Sequence, residues 1–374
     1  MTEPIRILHM IGSLNIGGSQ SMVINIHESL DKSKVQFDYI IDHPDHLYFA
    51  DTIKKLGGII YTMPTFKGFN YFEVRSAWIN FFRQHPEYRI LHSHVRSYAS
   101  LYLPIAKKAG LKTIIHSHST SNGNGVSSII KRALQYPLRF QADYFFGCSK
   151  EAGEWLFGKK IVNSPKYHIL KNAIDVEKYA FNMNDRIKCR KELDLGDKLT
   201  FIHVGRFHPA KNHLFLLKVF SEIHKRNPNT VLLLVGDGEL RTGIEQRIKE
   251  LDLKNDVLLL GSRTDIPYVL HAADCFLFPS LWEGFGMVAV EAQAAGLPCV
   301  CSDAVPKSVQ VIAQCLFLST DCVEKWIECA ENFATNFHVS LINNTKFFVE
   351  KGFDIKDSAN EVTCFYLKIW GTCV

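Results

Sequence analysis

The chain has 374 residues, 47% of them hydrophobic and 22% charged, which suits two ordinary globular domains and excludes a disordered chain. A formal net charge of +5 is too small to mark a nucleic-acid binder, and no apolar run reaches the length of a membrane span. "MTEPIRILHMIG" enters a strand without the segments of a secretory leader, and the ten cysteines form no C-x-x-C pair, so a soluble or peripheral cytoplasmic protein with buried, reduced thiols is expected.

Strands and helices alternate from the start. "IRILHMI" is a short apolar strand followed by the Gly-rich loop "GSLNIGGS", and "QSMVINIHESL" carries Met22, Ile26 and Leu30 at helical spacing. "QFDYIID" predicts a strand, "FADTIKKLG" a helix closed by Gly57, and "GIIYTM" a strand. The helix "YFEVRSAWINFFRQH", the strand "YRILHSH", the helix "SYASLYLPIAKKAG" and the strand "KTIIHSHS" follow, and "SIIKRALQYPLRFQA" to "YHILKN" continues the rhythm. The plan restarts near the midpoint with "LTFIHVGRFHPAKN", and "TVLLLVGDGE", "VLLLGSR", "CFLFPS" and "PCVCSD" supply further strands. Such alternation implies parallel sheets covered by helices on both faces, here as two doubly wound α/β domains. The polar segment 181–198 reads as the linker, and the last helix, "DIKDSANEVTCFYLKIW", could pack on either domain.

Ligands of open α/β sheets bind beyond the carboxyl ends of strands, so the post-strand loops carry the chemistry. In the first of these, Gly12, Gly17 and Gly18 permit close backbone approach at a helix start, although the spacing is not G-x-G-x-x-G and only Asp42 ends the second strand with an acid. Arg206 and Lys211 in "GRFHPAKN" suit a diphosphate, one as a planar fork and one as a point charge. In "LWEGFGMVAVEAQAAGLP", Gly284 and Gly286 clear the approach to a helix start near Met287, an anion site. Glu283 and Glu291 bracket it as acceptors for separate hydroxyl pairs, one on a sugar and one on a ribose. His92, His94, His116 and His118 follow two strands of the first domain. Their i, i+2 spacing without a nearby cysteine or acid favours hydrogen bonding or catalysis over a metal. Residues 101–150 hold seven Lys/Arg and one acid, Asp143. Within them, the helix expected at 127–141, with Ile129, Ile130, Leu134, Leu138, Lys131, Arg132 and Arg139, is either a core-facing helix or a face for an anionic membrane surface.

The ordered set "GSLNIGGSQ", "IIHSHST", "KNAID", "VGRFHPAKN", "VGDGE", "LGSRTDI" and "PSLWEGFGMVAVEAQAAGLP" resembles retaining GT-B glycosyltransferases of family 4, of the bacterial capsular and exopolysaccharide type, over nearly the whole chain. The resemblance implies two Rossmann-like domains facing a cleft. An acceptor-side domain spans 1–182, with the C-terminal helix of 355–374 packing back on it, and a donor-binding domain spans 183–354. It implies that Arg206 and Lys211 neutralise the departing diphosphate, and that amides around Phe285, Gly286 and Met287 hold the distal phosphate. Glu283 would meet the donor sugar and Glu291 the ribose; Ser262 and Arg263 would border the base, with Gly236 in the same donor-binding set. His118 would lie beside the transferred sugar, with Gly17 and Gly18 lining the donor phosphate and acceptor side. "DAVPKSVQV" departs from related enzymes in having Ser308 where an acid is common. The implied reaction moves a sugar from a nucleotide diphosphate sugar, UDP before GDP, to a lipid-diphosphate or saccharide acceptor. It needs no metal or cofactor, retains the anomeric configuration and takes place in the cytoplasm or at the inner membrane face. A sugar-nucleotide 2-epimerase, a non-catalytic nucleotide-sugar-binding protein and a nicotinamide dehydrogenase are the competing readings.

Overall fold

A computed structural model describes residues 3–15, 17–45, 47–118, 126–336 and 345–371, the side chains of 126–130 excepted. The chain forms two units, 1–174 with 352–374, and 175–351. The first holds a seven-stranded sheet of β1 (Ile5–Ser13), β2 (Val35–His43), β3 (Ile60–Thr62), β4 (Ile90–Ser93), β5 (Lys112–Ser117), β6 (Tyr144–Gly147) and β7 (Tyr167–Ile169), in the order β3-β2-β1-β4-β5-β6-β7. The second holds β8 (Leu199–Val204), β9 (Thr230–Val235), β10 (Val257–Gly261), β11 (Cys275–Phe278), β12 (Cys299–Ser302) and β13 (Cys315–Leu318), in the order β10-β9-β8-β11-β12-β13. Every strand pair is parallel. Both sheets reverse their winding once, between β1 and β4 and between β8 and β11, and that reversal opens the crevice where ligands bind. Burial on both faces explains the unbroken apolar runs: all six residues of "TVLLLV" in β9 are buried.

The first unit is discontinuous. Ile174 donates to Phe353 at 2.9 Å and Ile355 to Ile174 at 2.8 Å, which returns the chain to it. The helix Ile355–Trp370 then packs along Gly18–Ser29, burying Ile355, Ala359, Val362 and Tyr366 in the core with Ile7 and Phe37. The thiols among the described residues are free, and Cys148, Cys189, Cys275, Cys299, Cys301 and Cys315 are buried; Cys364 is exposed, contrary to expectation, and Cys373 lies outside the described residues.

Segment 181–198 is not an irregular linker. It contains the helix Met183–Glu192, capped by the Asn182 side chain, which accepts from the Asn184 amide at 2.9 Å. Among its residues only Cys189 is buried, so no apolar stripe announces the helix. Two arginines hold it instead. Arg186 donates to Asp274 at 2.5 Å and to the carbonyls of His271 and Ala273, and Arg190 donates to the carbonyl of Ala272 at 2.8 Å. Asp274 is 8% exposed and also accepts from the Thr200 amide at 2.7 Å. Truncating Arg186 strips a buried carboxylate of its main partner. Arg186→Ala is expected to cost about 3 kcal/mol in urea unfolding of the second unit, whereas truncating the exposed Lys188 changes little.

Candidate functional site

The second unit builds its site where β8 and β11 lie side by side, with Cys275 opposite Phe201 and Phe276 opposite Ile202. The loop after β8 turns through the short helix Pro209–Lys211 and reaches Asn212 in the left-handed region, where the helix His213–Arg226 begins. The loop after β11 leads into Met287–Ala294. A backbone hydrogen bond of 2.7 Å from Leu281 to the carbonyl of Ala210 joins the two loops. Across that joint, Lys211 Nζ lies 2.5 Å from Glu283 Oε1, which also accepts from Ser280 Oγ at 2.7 Å. Both side chains are largely buried, 19% and 11% exposed, and Lys211 Nζ sits 5.0 Å from the centre of the Phe278 ring. A charged pair in so dry a place is preorganised for a ligand that offers both an anion and hydroxyls.

Gly286, at φ +94°, starts the helix Met287–Ala294; a Cβ there would be strained and would also press on Phe278 at 3.1 Å and Val305 at 3.3 Å. With that side chain absent, the first turn presents backbone N–H groups and the positive end of the helix dipole. Glu291, one turn in, faces Tyr179, and burial pushes its carboxyl up to about 7, against the opposing effects of the Tyr179 hydroxyl and Lys178.

Arg206 is engaged elsewhere. Its side chain is 70% exposed and pairs with Glu239 at 3.2 Å. Such an exposed pair is screened by water, so the guanidinium is cheaply released to a stronger anion. The Gly236 amide already donates to Gly261 at 2.8 Å, and its missing Cβ makes room for the Gly205 carbonyl, so this glycine packs two loops together rather than offering its N–H to a phosphate. Ser262 is exposed and Arg263 grips its own neighbour Asp265 at 2.5 and 2.8 Å, on the loop after β10, two strands from β8. Ser308 is exposed.

Sequence reasoning missed Gln293. Fully buried in an otherwise apolar helix face, its side chain donates to the carbonyls of Ala289 (2.8 Å) and Val309 (2.9 Å) and accepts from the amides of Val311 (2.8 Å) and Ile312 (3.1 Å). It thereby fixes the glycine-started helix to the following loop. A lone amide among alanines was the available signal.

In the first unit Gly12 has φ +79°, which requires glycine, while a Cβ on Gly17 would meet only the flexible end of Gln20 and one on Gly18 nothing within 4 Å. Space beside these two is open to a ligand. Asp42, the acid that ends the second strand, is buried and bound to the Tyr98 hydroxyl. The four expected histidines do gather, and His9 of β1 joins them, since the sheet order sets His9 opposite His92. His9 Nδ1 lies 3.0 Å from His94 Nε2, His94 Nδ1 lies 2.8 Å from His118 Nε2, and His92 Nδ1 meets the Tyr366 hydroxyl at 2.6 Å. Burial holds all five imidazoles below their usual pKa, with mutual repulsion adding to it for His9, His92, His116 and His118; His94 falls to about 3. They are therefore neutral at pH 7. Ring nitrogens of His94, His116 and His118 lie within 4.8 Å of one another, as do those of His9, His92 and His94. Both nitrogens of His94 are already engaged by other imidazoles, so an ion in either group would have to break that chain. The basic helix expected at 127–141 is interrupted, as Val126–Gln135 and Leu138–Gln141. Leu138 is buried, and Arg139 stacks on Tyr136 and donates to the Leu156 carbonyl rather than facing solvent as a free cation; the side chains of Ile129 and Ile130 lie outside the described residues. No helix among the described residues is long and apolar enough to cross a membrane.

Comparison with known proteins matches each half of the chain to a family profile. The family profile described as Glycosyltransferase Family 4 matches residues 16–178, and that described as Glycosyl transferases group 1 matches 185–315. EpsF of Bacillus subtilis (strain 168), a protein carrying a glycosyltransferase assignment, is 34% identical over 310 residues, 81% of this chain and 80% of that one. The UDP-Gal:alpha-D-GlcNAc-diphosphoundecaprenol alpha-1,3-galactosyltransferase of Escherichia coli is 32% identical over 228 residues, 58% of each chain. Among solved structures, HepE of Anabaena in complex with UDP and glucose superposes with a TM-score of 0.80 at 18% identity, over 97% of this chain and 100% of that one. WaaG, a glycosyltransferase involved in lipopolysaccharide biosynthesis, gives 0.70 at 14%, over 96% and 99%. The chain belongs to the GT-B glycosyltransferases, with a family 4 half followed by a group 1 half.

Removing the clamp at Gln293 leaves two amides and two carbonyls buried without it. Gln293→Leu is expected to lower stability by about 3 kcal/mol, read by thermal unfolding.

Proposed function

We propose that the chain transfers a sugar from a UDP-sugar to a lipid-diphosphate-linked or saccharide acceptor, with retention at the anomeric carbon, in cell-surface polysaccharide synthesis. The observation that carries this reading is the Lys211–Glu283 pair at the reversal of the second sheet, beside a helix start cleared by Gly286. Support for the donor comes from the UDP and glucose held by HepE, and for the acceptor from relatives named for transfer to undecaprenol-diphosphate-linked sugars.

In this scheme the bond from the anomeric carbon to the diphosphate breaks as the acceptor oxygen bonds to the same face, and the acceptor proton passes to the departing phosphate. The chemical demand is charge on the leaving group. Lys211 meets it directly, Arg206 after leaving Glu239, and the amides of Phe285, Gly286 and Met287 complete the cradle for the distal phosphate. Protein cations fill the role a divalent ion would otherwise take, so no metal or cofactor is invoked. Glu283, held by Lys211 and Ser280, accepts from the sugar hydroxyls, and Glu291 accepts from the ribose. Ser262 and Arg263 border the base. His118 serves beside the sugar as a neutral hydrogen-bonding group, and Gly17 and Gly18 leave room for the donor phosphate and acceptor. The reaction belongs to the cytoplasm, at the inner face of the membrane where the acceptor is anchored.

Lys211→Ala and Glu283→Ala are each expected to slow single-turnover transfer about 10²–10³-fold, with folding intact by circular dichroism. Near-wild-type rates in both would overturn the assignment. Glu291 gives a pH test. Its carboxyl ionises at about 7 in the free protein, and ribose hydroxyls favour the carboxylate, so binding releases a proton. Affinity for UDP-glucose, whose phosphates do not titrate here, should therefore rise from about pH 5.5 to 7.5 and then level off. Glu291→Gln should flatten the profile; a flat wild-type profile in calorimetric titration would contradict the ribose role.

A further inference from the structure

The helices Tyr71–Gln84 and Ala99–Lys108 of the first unit lie against each other and flank a cavity of about 770 Å³, a size usual for small-ligand sites. Ile79, Phe82, Leu101 and Ile105 give it apolar walls. Arg75, Arg83 and Lys108 stand along it, no Asp or Glu lines it, and none of these three cations has an ion-pair partner among the described residues. One end opens at Phe66 and Tyr98, on the loops that leave the carboxyl ends of β3 and β4, the edge of the sheet where ligands bind. The Tyr98 hydroxyl is anchored on buried Asp42, which fixes the wall there. From Tyr71 to Arg83 the groove follows the helix for about 18 Å away from that edge.

Exposed aromatics accompany the groove. Phe72, 80% exposed, lies edge-on against the lining Tyr71, and Tyr136 and Phe140 follow the helix that contributes Leu134. Apolar surface of this kind, rimmed by cations, marks a binding face rather than a solvated one.

We infer that this groove holds the lipid of the acceptor: a hydrocarbon chain lying between the two helices, with its diphosphate held at the Arg75 end beside the sheet edge. The inference rests on the proposed transfer to a lipid-diphosphate acceptor and adds where that acceptor is gripped. Apolar walls call for hydrocarbon, and unpaired cations with no opposing acid call for an anion. A concave cavity fits a single chain, whereas a bilayer surface asks for an exposed amphipathic face. Arg83 and Lys108, at the far end, then face the anionic headgroups from which the chain is drawn.

The test uses the intact protein and farnesyl diphosphate as a soluble probe, with inorganic diphosphate and farnesol as partial probes, followed by calorimetry. Farnesyl diphosphate should bind, and each partial probe at least about tenfold more weakly. Arg75→Glu, and Ile79→Asp or the milder Leu101→Gln, should each weaken it about tenfold or more while leaving UDP affinity unchanged, which also reports correct folding. Equal binding to wild type and variants, or no binding, with UDP still bound would overturn the groove while leaving glycosyl transfer standing. Loss of UDP binding in the wild-type protein would instead overturn the transferase reading beneath it. Binding to anionic phospholipid vesicles that Arg75→Glu and Ile79→Asp weaken, with no farnesyl diphosphate bound by the wild type, would also refute the proposal, making the face a membrane contact.

Discussion

Leu281 gives its amide to Ala210, and through that bond two loops from strands far apart in sequence become one surface. Everything in the second unit's site follows from it. The joint exists because β8 and β11 are neighbours in a sheet whose winding reverses between them. It brings the Lys211 ammonium to the Glu283 carboxylate, and it sets the glycine-started helix beside them. Gln293 then locks that helix from below with hydrogen bonds that no solvent can replace. Rigid sheet ends, rather than the loops' own composition, hold charged groups in a place too dry to accept them singly.

The alternation of strands and helices was legible because buried parallel strands leave unbroken apolar runs, as "TVLLLV" does. The loops were legible too, since glycines beside charged residues after such runs have few other uses. Pairing was not. Lys211 and Glu283 could be named as site residues, but their contact depends on which strands adjoin, and nothing in "GRFHPAKN" or "LWEGFG" records that. His9 escaped for the same reason: it belongs with His92 only through the adjacency of β1 and β4. The helix Met183–Glu192 escaped because arginine forks hold it, and a periodic apolar stripe does not. Arg206 was legible as a cation but not in its pairing. A cation on a post-strand loop has the right chemistry, yet in this structure its partner is Glu239.

The two units handle polar burial differently. In the second, opposite charges are buried together, Lys211 with Glu283 and Arg186 with Asp274. In the first, a row of imidazoles is buried uncharged, each neighbour making protonation of the next less favourable. An uncharged row offers directional hydrogen bonds without adding charge, and it fixes His118 by pairing its Nε2 with His94 Nδ1.

The returning helix Ile355–Trp370 gives that row a history as well as a shape. Tyr366, which closes over His92, leaves the ribosome after the whole of the second unit. Until then His92 lacks its hydroxyl partner. Completion of the first unit is thus the moment Tyr366 reaches His92, so the row takes its finished hydrogen-bonded form only after the second unit has been made.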